Sequence, residues 1–124
     1  MSAILAAATA AGLLVSAPPV PPVQAVDAAY EEVVNHRNGE AIARIESDRP
    51  AAHAHPAQLI NLGLAYAREG NVARARELLR RAASADEIDT LETADGQWAS
   101  ARVLARRALA ALDRSSAGVR TARR

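Results

Sequence analysis

The stretch PAQLINLGLAYAREGNVARARELLRRA, Pro56 to Ala82, carries two amphipathic helical patterns separated by Arg68-Glu69-Gly70-Asn71. In the first, Leu59, Leu62, Gly63 and Tyr66 fall at i, i+3, i+4 and i+7, on one face of a helix. Glycine inside a helix costs about 1 kcal/mol of propensity against alanine, so Gly63 on that face points to a second backbone passing close by. In the second, Val72, Ala75, Leu79 and Ala82 repeat the spacing, and Ala75 and Ala82 again leave room for close approach. Gly70 suits a left-handed helix stop, and Asn71 suits the cap of the helix that follows. The outer face of the second helix bears Arg74, Glu77, Arg80 and Arg81, with Glu77 and Arg81 in the favourable i,i+4 order. These signals together predict a helical hairpin.

The positions Leu59, Leu62-Gly63, Tyr66, Gly70, Ala75, Leu79 and Ala82 stand in the register of a tetratricopeptide repeat, which this stretch resembles. It departs from that pattern at Leu59, where tryptophan is usual, and at Glu87, where the closing proline would fall. One repeat of about 34 residues is covered, centred on 56–86. The resemblance implies an all-α fold of antiparallel helical hairpins, a right-handed α-solenoid fragment of about two and a half hairpins with a C-terminal capping helix.

Flanking units are weaker. Gly96 to Ala101 aligns with Gly70 to Ala75, and Ala108 with Ala82; Trp98, Ala101, Ala105, Ala108 and Leu112 then form a continuous helical stripe with Leu104 and Leu109 at its edge. Trp98, Ala101 and Ala108 are therefore expected as repeat-packing residues. The intervening Asp86 to Gly96 is acidic and rich in Asp and Thr, which predicts a loop or short extended piece. Upstream, Glu40 to Ile45 has the pattern of a second helix and Ala28 to Asn35 that of its partner.

Residues 1–26 carry no charged side chain, and Ile4 to Val15 is an apolar run of twelve residues. A helix that short does not cross a hydrocarbon core of about 30 Å. The Pro-rich Ala17 to Pro22 breaks it, and Val23-Gln24-Ala25 offers small residues before Val26. The expectation is a secretory signal peptide over 1–25, cut after Ala25, and an exported, periplasmic mature form without a transmembrane segment. The alternatives are a core helix followed by a Pro-rich linker, or a retained anchor. The chain holds no cysteine, so the mature form relies on packing alone. About 99 of the 124 residues would remain, one small domain over 26–114 followed by a disordered basic tail over 115–124. Alanine dominates and Tyr30, Tyr66 and Trp98 are the only aromatics, so each helix contact buries little apolar area.

Charge falls in blocks: net −4 over 27–48, +4 over 49–84, −5 over 85–95 and +6 over 96–124. All fifteen basic residues are arginine. The basic C-terminal stretch, Arg102, Arg106, Arg107, Arg114, Arg120, Arg123 and Arg124, lacks a stacking aromatic beside it, because Trp98 lies on the apolar stripe. A solvated helix face is the reading, and no nucleic-acid partner is expected.

Catalytic chemistry finds no constellation. His53 and His55 lack a third metal ligand at a supporting spacing, no nucleophile-elbow or phosphate loop occurs, and Glu31-Glu32 and Asp86-Glu87 are adjacent, so neither pair shares a helix face. No catalytic residue, metal or cofactor is expected. The resemblance implies binding instead: a concave groove for a peptide or partner helix, lined here by Ala57, Ile60, Asn61, Leu64 and Arg68. Asn61 stands where some family members hold a peptide backbone, but the lysines of a carboxylate clamp have no counterpart. Ile60 and Leu64 serve equally well as core. Partner identity stays open between a protein or peptide in the groove and a second copy covering the open end as a homodimer.

Overall fold

A computed structural model describes residues 20–24, 28–48, 55–85 and 90–122, with side chains through Ser47 in the second segment and Ser116 in the last. Within them lie five helices and one two-stranded sheet. They are α1 (Tyr30–Val34), α2 (Asn38–Asp48), α3 (Pro56–Arg68), α4 (Val72–Ala83), β1 (Thr90–Glu92), β2 (Trp98–Ser100) and α5 (Ala101–Ala122). The described chain is thus mostly helical, and the sheet is the addition to the all-α expectation.

α3 is the central element. His55 caps it: Nδ1 accepts from the Ala57 N–H at 3.2 Å, while the Gln58 side chain reaches back to the His55 N–H at 3.0 Å. Pro56 occupies the first turn, where its missing N–H leaves no bond unmade. At the other end Gly70 sits at φ 84°, the Asn71 N–H returns to Tyr66 O and the Gly70 N–H to Ala67 O, the paired bonds of a Schellman stop. Asn71 then caps α4 by accepting from the Arg74 N–H at 3.2 Å. The Gly70 stop and the Asn71 cap stand where the sequence puts them, while α3 runs through Arg68.

Leu59, Leu62, Gly63, Ala75, Leu79 and Ala82 are buried where the two helices meet, Tyr66 is half-buried and Gly70 is exposed in the turn. The Tyr66 hydroxyl donates to Glu46 at 2.5 Å, linking α3 to α2, and Arg74 lies 5.9 Å from its ring centroid. Hydrogen bonding to the Glu46 carboxylate raises the Tyr66 pKa above its usual value. On the first pair, Val33, Ala41 and Ile45 point inward and join the same core as α3. Arg44 grips Glu32 at 2.7 and 3.0 Å to tie α2 to α1.

Two expectations change. Trp98 does not begin the helical stripe that its spacing predicts: Trp98–Ser100 pairs antiparallel with Thr90–Glu92, and Trp98 is 65% exposed. The reversal is made by the Asp95-Gly96 turn, with Gly96 at φ 82° and the Thr93 N–H bonded to Gln97 O. Ser100 Oγ accepts from the Val103 N–H at 3.2 Å and so starts α5 three residues after the tryptophan, at Ala101. Ala101, Leu104, Ala105 and Ala108 carry the stripe onward and are buried. Second, α5 continues to Ala122 instead of ending in a disordered tail at residue 115. Arg76 to Asp113, at 2.8 Å, ties its later turns to α4.

Ahead of the expected cut, Val20 to Gln24 lies against α3 and the β-hairpin. Val20 and Val23 are buried beside α3, and Val23 bridges antiparallel to Thr93. The cut after Ala25 itself, the apolar run Ile4 to Val15, and His53 lie outside the described residues.

Candidate peptide-binding site

The face of α3 assigned to a groove begins with Ala57, Ile60 and Leu64, which belong to the main apolar cluster together with Ala41 and Ile45. They are 3%, 0% and 8% exposed. A face that is buried offers no open groove, so these three act as core in this arrangement. Arg68 is half-buried and its Nη1 donates to Val33 O at 2.5 Å, securing the end of α1. Burial lowers its pKa, yet a guanidinium stays charged throughout the working range.

Asn61 is different. It is fully buried on α3, and its side-chain amide is spent on main chain. Oδ1 accepts from the Val23 N–H at 2.8 Å; Nδ2 donates to Val23 O at 2.9 Å and to Ala28 O at 2.9 Å. One N–H and two carbonyls face it, so only this orientation of the amide satisfies all three. Both main-chain groups of a single residue are therefore read by one side chain.

The neighbours of Val23 turn the other way and meet the hairpin. The Gln24 N–H donates to Glu92 O at 2.7 Å, and the Ala94 N–H donates to Pro22 O at 2.8 Å. Gln24 Nε2 adds a bond to Thr93 O at 2.8 Å. This is the alternation of an extended strand, with one side facing Asn61 and the other facing the edge of β1. Proline at position 22 loses nothing, since the bonds made there use its carbonyl. Thr93 is buried below the strand, its hydroxyl directed at Asp95, and that hydrogen bond holds the Asp95 carboxyl below the usual carboxylate range.

The result is a slot walled by a helix amide on one side and a strand edge on the other. It accommodates an extended segment whose aliphatic side chains, Val20 and Val23, stand three residues apart. Around the slot, the described residues place no nucleophile beside a base. Of the serines, Ser47 Oγ donates to Arg44 O at 3.0 Å, and Ser100 is engaged as the cap of α5. No three metal-ligating side chains come together among the described residues.

Asn61 stands out in the sequence by its place in the repeat register, and the short extended piece expected within Asp86–Gly96 is β1; the pairing of β1 with Trp98–Ser100 and the identity of the occupant are not among the expectations. The wall had a signal: Thr93-Ala94-Asp95-Gly96 is turn chemistry flanked by short alternating stretches. The occupant had none, because a Pro-rich segment after an apolar run reads as processing signal before it reads as strand. No protein-family model matches the chain, and no curated protein or solved structure matches it either.

Proposed function

We propose that this chain is an exported, periplasmic interaction module, tetratricopeptide-like in its hairpins, that holds an extended peptide by its main chain at Asn61. One observation carries the reading: a fully buried asparagine binds both the N–H and the C=O of one residue in an extended segment. Burying an amide is tolerable only when its hydrogen bonds are made, so a site of this kind selects backbone of defined direction. Main-chain bonds to a strand edge supply affinity, and pockets for alternate side chains supply selectivity.

The test is selection of random peptides against the processed protein isolated from the envelope. Enrichment of uncharged sequences with aliphatic residues three apart, abolished by Asn61→Leu, supports the reading. Enrichment that survives Asn61→Leu contradicts it.

A second reading, a structural protein that associates with its own copy, has a specific observation in its favour. Trp98 is 65% exposed on β2, and Val103 is 38% exposed near the start of α5. Sedimentation at several concentrations decides it, a concentration-dependent dimer that Trp98→Ser dissolves being the supporting result.

A further inference from the structure

Residues Val20 to Gln24 have the geometry of a ligand. The segment is extended and lies against α3 and the hairpin, and its bonds to both use side-chain amides or main chain. Val20, Pro22 and Val23 are buried, Pro21 is half-buried, and Gln24 is exposed. Proline restricts the free segment to extended conformations, so little entropy is lost when it settles into the slot.

Covalent attachment is what favours this occupant over others. A short tether presents its own segment at an effective concentration of about millimolar, and an outside peptide competes only by exceeding that. Cutting the tether removes the advantage. The bond after Ala25, where the signal sequence is expected to be hydrolysed, follows the segment by one residue in sequence.

We infer that Val20–Gln24 is a resident pseudo-ligand of the Asn61 slot, and that its release opens the slot to an extended, uncharged peptide bearing aliphatic side chains at i and i+3. This rests on the peptide-binding reading and adds its regulation: the precursor is self-occupied, and hydrolysis of the Ala25–Val26 bond, with water supplying the new carboxylate and amine, converts it to the receptive form. An emptied slot leaves Asn61 Oδ1 and one of its two Nδ2 hydrogens, the Ala94 N–H and Glu92 O without their partners, and a cavity where Val23 stood; the Asn61 bond to Ala28 O remains. Those unmade bonds are the driving force for taking up a replacement.

The full chain and its Val23→Asp variant are titrated with a fluorescently labelled peptide of the sequence Pro18 to Ala25, blocked at both ends. The aspartate disfavours the buried seat of the resident segment without altering any wall of the slot. Binding to the variant at least about tenfold tighter than to the wild-type chain is expected, by loss of the tethered competitor. Adding Asn61→Leu, or replacing the second valine of the peptide by aspartate, abolishes it. Should the variant unfold, the same peptide restores its helical circular dichroism in a concentration-dependent way. Equal, Asn61-dependent binding to both chains overturns self-occupancy and leaves the peptide-binding reading standing. No binding to either chain, and no refolding at millimolar peptide, overturns both.

Discussion

A β-carbon placed on Gly63 would lie 2.8 Å from Leu79 Cγ, closer than carbon atoms approach one another without something giving way. Leu79 is itself buried, and the Ala75 carbonyl stands 3.5 Å from the same point. The side chain that Gly63 lacks is what sets the separation of α3 and α4. Gly63→Ala gains about 1 kcal/mol of helix propensity but forces Leu79 off its position, and overpacking of this kind typically costs about 1–3 kcal/mol. A net loss in urea denaturation is the expected outcome, larger for Gly63→Val and larger again for Gly63→Trp. An increase in stability on Gly63→Ala would show that the helices are farther apart than described here.

Asn61→Leu keeps the branched shape and the heavy-atom count, and removes three hydrogen bonds at once. The Val23 N–H, Val23 O and Ala28 O are left without that partner in the interior. With an unsatisfied buried group costing about 1–3 kcal/mol, destabilisation of roughly 3 kcal/mol or more is expected in the full chain, measured by denaturant midpoint at constant slope.

Trp98→Ala, by contrast, leaves stability within about 0.5 kcal/mol, because an exposed side chain on an edge strand contributes little packing. As the sole tryptophan it also reports its own surroundings: emission resembles that of the free indole in water and is readily quenched by iodide. A blue-shifted, quencher-resistant emission in monomeric protein contradicts the hairpin.

Acid sensitivity has a named contributor in Glu32. A hydrogen bond from its own backbone N–H, then the Arg44 guanidinium, hold its carboxyl below the ordinary value of 4.5. A depressed folded pKa means that the stabilisation is complete above the unfolded value and is lost as pH falls through the folded one. Glu32→Gln is thus expected to lower stability above about pH 4.5 and to flatten its fall as pH drops from there through the lowered folded value. Arg44 is 42% exposed, so screening by salt reduces the effect.

The hairpin was legible because each of its signals is local. Gly70 and Asn71 form the turn by their own backbone and side-chain preferences, and Gly63 marks a close approach through its missing side chain. Trp98 was misplaced because Trp98, Ala101, Ala105 and Ala108 share a helical period that continues across a strand boundary. Only the Asp95-Gly96 turn and the Ser100 cap reveal where the strand gives way to α5. The slot was the least legible part. Its walls come from residues 61 and 92–94 and its occupant from 20–24, a juxtaposition that no local pattern encodes.

Amide hydrogen exchange at Val23 in the full-length chain tests the Asn61 slot most directly. The account predicts slowing of at least about a hundredfold relative to an unstructured segment, since the N–H is buried and bonded to Asn61, and loss of that slowing in Asn61→Leu. Exchange of the Val23 amide at the rate of a free peptide in the wild-type chain would contradict it.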